Sequence, residues 1–419
     1  MRAAPRVSVV IASHRRPAAL TLCLTALRFQ DYRPFEVIVA ADAPGLAAIA
    51  KAGLIGRIKT VQVDAAGISA ARNAGLALAA GDIVAFIDDD AVAEHSWLSH
   101  LVAPFDDPQV AAAGGYVRGR NGISFQWRAR WADACGRHFA LSVPGEMPSL
   151  HRGGPGRAIR TEGTNMAFRR AVLAEMGGFD PGYRYFLDET DVNMRLARAG
   201  AVTAIVPLAQ VHHGYAPSAR RRFDRAPRSL HDIGASSARY IRKFAPEDDH
   251  DAALCDLRTG QRRVLIGHMV SGRIEPRDVA GLLRGLDAGI AEGLRAPLTP
   301  PAPLRGDPPP FCAFVTEAPR SPVCLAGRGW WRRDLRRRAA RLAAQGYPVT
   351  LFVLSHSALF HRMTMLPDGV WLQRGGLFGR SDRAGRMFRP WGLCARISFE
   401  KARMAGIRPL KDAADVSGW

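Results

Sequence analysis

The chain has 419 residues, 47% of them hydrophobic and 23% charged, a globular mixture too long for one ordinary core and unlike a disordered or collagenous chain. Its formal net charge is +20 and all but five of its 58 basic residues are arginine; this reflects either arginine-rich coding or attraction to something anionic, such as a nucleotide diphosphate, a membrane face or nucleic acid. The six cysteines form no CxxC pair or metal spacing, and no apolar run reaches the ~18–20 residues of a membrane span, which argues against a zinc-finger or integral membrane protein.

Arg6–Ala12 (RVSVVIA) is a β-branched apolar run, too short for a signal-peptide core and followed by Ser13-His14-Arg15-Arg16; a cytoplasmic protein is expected. A helix is predicted from Pro17 to Phe29, with Pro17 in its first turn. Buried-type strands follow at Phe35–Ala40, Arg57–Val63 and Ile83–Ile87, with a helix at Ile68–Ala80 that Gly81 stops. Alternating strands and helices at this spacing predict an α/β fold with a mostly parallel sheet flanked by helices. Ligands bind such sheets beyond the carboxyl ends of the strands. Between Ala91 and Ala158 the pattern weakens, and Pro144–Gly156 reads as a mobile loop. Helices return at Ala171–Met176 and Thr190–Ala199, and a strand at Val202–Val206. Arg220–Arg242 is basic and partly helical, Pro246–Asp251 is an acidic break, and Gln261–Gly293 reads as helical. Ala296–Pro310 holds seven prolines and reads as a stiff, extended linker. A β-α-β unit follows: a strand at Phe311–Thr316, a helix at Arg332–Gln345 and a strand at Val349–Leu354. The expected division is 1–218, a mainly helical extension 219–295, the linker 296–310 and a small α/β unit 311–419.

Asp88-Asp89-Asp90 follows directly on the strand IVAFI. Three carboxylates at a strand mouth repel one another unless a cation sits among them, and an oxygen-rich set suits Mg²⁺ or Mn²⁺. A solvated acidic turn or a helix cap is the plainer alternative. Gly67 lets the backbone approach a ligand, and Arg72, one turn into the next helix, offers a planar fork to a phosphate or base edge. Asp42, at the end of the second strand, can accept from a nucleobase imide or a ribose hydroxyl. Asp188-Glu189-Thr190-Asp191 opens a helix, where carboxylates also serve the dipole, but the cluster exceeds what capping needs and a general base is expected in it. Of the adjacent His212 and His213 after the last strand, His212 is the expected imidazole ligand to a metal.

The ordered set VSVVIASHRRP, FEVIVAAD, GISAARNAGL, GDIVAFIDDDA, GTNMAFRR, GGFD and DETDVNMRLARAG resembles family 2 glycosyltransferases over Arg6 to about Tyr215. The resemblance implies a GT-A type fold and an inverting single displacement on a nucleotide-sugar donor. Asp88 and Asp90 match the family's DxD motif, with Asp90 matching the metal ligand and Asp89 lying within the donor site. Ser13, Asp42 and Arg72 fall where the family contacts the nucleotide, and Gly163, Thr164 and Asn165 where it lines the sugar and acceptor cleft. In many members of the family the base is the aspartate of an ED pair. That position is Glu189 here, preceded by Asp188, so the base is expected at Glu189 first, then Asp188 or Asp191. Ala41 stands where many members carry an aspartate.

The expectation is therefore a glycosyltransferase using a divalent cation, Mn²⁺ or Mg²⁺, to move sugar onto a glycan, polysaccharide or lipid-linked hydroxyl. The alternatives are a nucleotidyltransferase, for which His14-Arg15-Arg16 is a candidate phosphate-gripping loop after the first strand but lacks the glycine richness expected there, and a basic nucleic-acid-binding protein, for which no RRM, KH, zinc or helix-turn-helix signature is visible; no nucleic-acid partner is expected. In the last unit Trp331, Leu335, Ala339 and Leu342 share one helical face among arginines. Such a basic amphipathic helix can dock on an anionic membrane, or pack as an ordinary α/β helix. The segment GRGWWRRDLRRRAARLAAQGYPVTLFVLS is also similar to the opening of a GT-B glycosyltransferase, of which only one half would be present, so no second active site is expected.

Overall fold

The computed structural model describes residues 4–65, 67–214, 220–315 and 320–413. The first half runs β1 (Val7–Ser13), α1 (Pro17–Leu27), β2 (Phe35–Ala41), α2 (Ala43–Lys51), β3 (Lys59–Gln62), α3 (Ile68–Ala77), β4 (Ile83–Asp88), β5 (Ala91–Ala93) and α4 (Trp97–Val102). It continues through β6 (Val110–Arg118), β7 (Phe125–Trp127), β8 (Arg130–Asp133), β9 (His138–Ala140), β10 (Ser149–Arg152), β11 (Arg157–Arg160), β12 (Met166–Arg169), α5 (Arg170–Glu175), α6 (Asp188–Arg198) and β13 (Val202–His213). Three helices follow: α7 (His231–Phe244), α8 (His250–Val270) and α9 (Pro276–Arg295). The last unit comprises β14 (Val323–Arg328), α10 (Arg332–Ala344), β15 (Val349–Ser355), β16 (Arg362–Met365), β17 (Trp371–Gly376), α11 (Leu393–Arg403) and β18 (Lys411–Asp412).

The main sheet has the order β10-β13-β6-β12-β4-β1-β2-β3. It is mostly parallel; β12 runs against both β4 and β6, and β10 against β13. Period-two alternation divides each central strand between two cores. In β1, Val7, Val9 and Ile11 face the α1 side, while Val10 faces α3. In β4, Ile83, Ala85 and Ile87 join the first core and Val84 and Phe86 the second. The close packing of α3 on β1 needs Gly75, where a Cβ would lie 2.4 Å from Val10 Cγ1. Both faces are thus covered, as the apolar strands require.

Several expected elements differ. The predicted mobile loop 144–156 carries β10, paired with β13. The strand expected at Val202–Val206 runs through Pro207 to His213, with an irregularity between Val206 and Gln210. The helical stretch 261–293 is two helices, broken at Gly272, where φ is +69°. The strand expected at Phe311–Thr316 is reduced to a single bridge between Ala313 and Glu36 among the described residues; Thr316 and the expected boundary at 218 lie outside them.

The proline-rich segment is extended, but it is tied down rather than a free spacer. Leu304 N–H donates to the Ala174 carbonyl at 2.9 Å. Lys59 Nζ donates to the Pro309 carbonyl at 2.9 Å, and Cys312 N–H to Glu36 Oε2 at 2.9 Å. Phe314 is buried against Phe35. Glu36, fully buried, also accepts from Ser8 Oγ, the Ala80 N–H and Lys59. One carboxylate therefore joins β1, β2, β3 and the strap.

The last unit is a five-stranded sheet, β16-β17-β15-β14-β18, parallel except for β16. The apolar face of α10 is not free: Leu335, Ala339 and Leu342 pack against this sheet. Trp331 does not share that face; it and Trp330 are 62% and 69% exposed just before α10. Any membrane contact of α10 would therefore rest on these two rings and the arginines, not on its apolar stripe. The unit is fused to the first half by a common core that joins Ala26, Val92 and Ile123 to Phe352, Trp371 and Ile407. Beside it, buried Arg408 donates to Glu94 at 2.9–3.0 Å. No helix among the described residues is long and apolar enough to cross a membrane.

Candidate active site

At the carboxyl ends of the central strands lies a cavity of about 380 Å³, walled by β1, β4, the α3 N-terminus, the β11–β12 turn and the start of α6. The turn after β4, which holds Asp89 and Asp90, separates the three aspartates. Asp88 and Asp90 face the cavity, whereas Asp89 is fully buried. Asp89 accepts from Ser13 Oγ at 2.8 Å and pairs with Arg16 at 2.9 Å. Burial pushes its carboxyl up to about 7, against the pull of Arg16. Asp89 therefore anchors β4 to the end of β1 and does not line the cavity, contrary to the expectation; Ser13 lines it and is tied to Asp89.

Asp90 pairs with Arg16 at 3.0 Å and with His213 Nε2 at 3.2 Å. Ligand atoms of Asp88, Asp90 and His213 all lie within 4.8 Å of one another. Two carboxylates and an imidazole form a donor set that suits Mn²⁺ or a similar divalent ion, so the residues present fit the expected metal. The imidazole is His213, not His212. Because β13 extends to His213, the two histidines point to opposite faces. His212 Nε2 donates to buried Glu94 at 2.6 Å, and its ring packs against Trp371. Burial holds the His212 ring neutral against the pull of Glu94.

Arg72, at 4% exposure on α3, is a junction. It donates to Asp188, to Asp88 at 3.2 Å and to the Gly163 carbonyl at 2.8 Å, with its guanidinium over the Phe179 ring. Gly163 leaves room for this arrangement, since a Cβ would fall 2.7 Å from Arg72 Nη2 and the guanidinium would have to move. Glu189 accepts from Arg160 at 2.7 Å, and Arg160 also faces Glu162 at 3.5 Å. Glu162 in turn takes Arg130. Carboxylates and guanidiniums thus alternate along the cavity wall. Burial would raise the Glu189 carboxyl, but Arg160, with help from Arg72, holds it down to about 2. Burial wins at Asp188, lifting it to about 7 against Arg72, with the Glu189 charge adding to the rise. The adjacent carboxylates are pushed apart, leaving Glu189 ionised at neutral pH.

The turn that delivers these residues is strained. Phe186 and Leu187 both take left-handed backbone, with φ of +70° and +63°, at about 1–3 kcal/mol each, a cost that recurs at functional sites. Three other expected residues, Asp191, Asn165 and Asp42, do not line the cavity. Asp191 is fully buried on the far side of α6, bonded to Arg195 and Lys243. Asn165 is fully buried and structural: it accepts from Trp97 Nε1 at 2.8 Å and donates to the Tyr116 and Ala209 carbonyls. Asp42 caps α2 through the Gly45 N–H at 3.1 Å and accepts from the Arg15 N–H at 2.7 Å; it shapes the turn carrying His14 and Arg16. Gly67, Gly163 and Thr164 line the cavity. Sequence reasoning does not single out Arg160, considers Arg16 only as part of a phosphate-gripping loop, and takes His212 over its neighbour His213. His213 was legible had the strand been carried past Pro207; the two arginines enter through long-range pairing that no local pattern marks.

Residues 8–177 match the family model for glycosyl transferase family 2. A glucosyl-dolichyl phosphate glucuronosyltransferase from Haloferax volcanii is 30% identical over 183 residues, covering 42% of this chain and 56% of the relative. A pre-mycofactocin glycosyltransferase from Mycobacterium tuberculosis is 31% identical over 153 residues, covering 36% of this chain and 30% of the relative. The chain thus spans just over half of the first relative and under a third of the second. Among solved structures, a mannosyltransferase from Pyrobaculum calidifontis in complex with GDP-Man and Mn²⁺ aligns at a TM-score of 0.42 and 17% identity, over 70% of this chain and 87% of that one. The match runs from β1 to α5 on the mostly parallel sheet described above, so residues 8–177 form a domain similar to glycosyl transferase family 2.

Proposed function

We propose that the chain transfers a sugar, with inversion, from a nucleoside-diphosphate sugar to a hydroxyl of a glycan, polysaccharide or lipid-linked acceptor. The observation that carries this reading is the convergence of Asp88, Asp90 and His213 on one wall of a cavity that also holds an ionised Glu189. Asp88, Asp90 and His213 would hold the divalent cation, whose charge when bound offsets that of the departing diphosphate. Ser13 and Gly67 line the nucleotide side, and Arg72 fixes Asp88 and the Gly163 carbonyl in place. Glu189 takes the proton of the attacking hydroxyl, and Arg160 orients its carboxylate. Asp188, tied to Arg72, positions rather than reacts.

The test is an assay of released nucleoside diphosphate with Mn²⁺ and a panel of nucleotide sugars. Asp90→Ala and Glu189→Gln are each expected to lower kcat by at least about a hundredfold, the scale of a lost general base, with folding intact. Full turnover in both variants would remove the mechanism. Release of pyrophosphate instead would favour the nucleotidyltransferase reading.

A further inference from the structure

A second cavity, about 790 Å³, lies between the glycosyltransferase domain and the last unit. It meets the first at Trp127, which lines both. It also reaches the ladder that holds Glu189, because Arg130 on its wall pairs with Glu162. Its apolar lining combines three aromatic rings, Phe125, Trp127 and Phe139, the last stacked on Trp131 at 4.3 Å, with aliphatic Ile123, Leu208 and Ile407. Five arginines line it against two carboxylates, Glu146 and Asp382. Arg118, Arg130 and Arg403 are already engaged, by Gln210, Glu162 and Glu400 respectively. Arg128, which lies over the Phe125 ring at 5.0 Å, and Arg383 are both exposed and have no carboxylate partner among the described residues.

Two further groups mark the groove as built for a polar ligand. Gln126 Oε1 and both ring nitrogens of His138 are buried without a hydrogen-bond partner among the described residues, and both side chains line the cavity. Buried polar atoms left unpaired are destabilising unless a ligand satisfies them. His138 is held neutral, chiefly by burial and then by Arg160 and Arg130, so it can exchange hydrogen bonds with a hydroxyl in either direction.

We infer that this groove is the acceptor site and that it takes an acidic saccharide, one bearing carboxylate or phosphate groups. Aromatic rings pack on the apolar faces of sugar rings, while planar guanidiniums pair bidentately with carboxylate or phosphate. His138 and Gln126 meet sugar hydroxyls, and the groove leads past Trp127 to Glu189. The inference rests on the proposed transfer reaction for its direction, but its binding test stands alone.

Calorimetric titration of the full chain with an oligogalacturonate, its uncharged methyl ester and a glycerol-phosphate oligomer provides the test. Tight binding of either acid, at least about tenfold above the neutral ester, is expected, and the two acid arms tell carboxylate from phosphate. Arg128→Glu and Arg383→Glu should each weaken it by about tenfold, the scale of one lost charge-assisted hydrogen bond. His138→Ala should weaken the neutral ester as well. Stabilisation of the same variants by UDP or GDP with Mn²⁺ reports the donor site separately. If that signal is missing while the acid binds, the donor reading fails and the groove stands. If acid and ester bind alike, if both arginine variants bind as the parent does, or if an oligothymidylate binds more tightly than both acids, the inference is overturned.

Discussion

At the scale of single residues, the site is decided by which way neighbours point. Asp88 and Asp90 face the cavity and Asp89 does not; His213 faces it and His212 does not. His213→Ala is expected to raise the Mn²⁺ concentration needed for half-maximal transfer by at least about tenfold, as weakened metal sites do. His212→Ala should leave the metal requirement unchanged and instead lower the melting temperature, because it strips a partner from buried Glu94. Titrating Mn²⁺ into both variants checks the pair. Gly163→Ala makes a different prediction. The added methyl would meet Arg72 Nη2 at 2.7 Å, and the guanidinium must shift off Asp88 and Asp188. Turnover should fall more than tenfold, with a shift in melting temperature of only a few degrees, about 1 kcal/mol. Steady-state kinetics beside a thermal melt separates the two effects. The carboxylates were legible in the sequence because three aspartates directly after an apolar strand repel one another unless a cation or a cationic partner sits among them. Their individual roles were not, because the choice between Glu189, Asp188 and Asp191 depends on which arginines fold back onto them.

At the scale of elements, the central strands were legible from apolar runs that both cores bury, and the helices from their spacing. The failures share a cause. Pro207 reads as a stop, yet β13 passes through it with an irregularity and continues for six more residues to His213. Ending the strand there placed both histidines in a loop and hid their alternation. The proline-rich segment read as a spacer, yet its backbone is bound at Ala174, Lys59 and Glu36. Composition gives stiffness, not the surface on which a stiff segment rests. Glu36 tests this strap. Glu36→Ala would strand Lys59 and the Ala80 and Cys312 N–H groups, and should cost about 3–5 kcal/mol, as breaking a buried ion pair does. Urea denaturation of the variant reads that loss; an unchanged midpoint would mean the strap does not bear on stability.

At the scale of the whole molecule, the two α/β units share one core and one buried ion pair, which no local pattern announces, since Glu94 and Arg408 are 314 residues apart. Burial would raise the Glu94 carboxyl, but Arg408 and His212 outweigh it and hold it well below the usual range. An unfolded glutamate titrates near ~4.3, so in acid the unfolded chain binds this proton more readily than the folded one. The pair's stabilisation is therefore complete above about pH 4.3 and lost as the pH falls below it. Denaturation of the full chain between pH 7 and pH 3 should show this decline. Glu94→Gln should be less stable throughout, by about 3–5 kcal/mol at neutral pH, with a shallower slope in acid.

The alternating charges of the cavity wall also constrain how this site can change over generations. Asp88, Arg72 and Asp188 form one run, and Glu189, Arg160, Glu162 and Arg130 another. Neutralising any one member hands an uncompensated charge to the next. Single replacements are penalised where paired ones are tolerated, so drift here should proceed in linked steps. Lineages that acquire a new acceptor preference would then exchange an arginine and its carboxylate together, and the signature would be correlated variation between positions far apart in the chain.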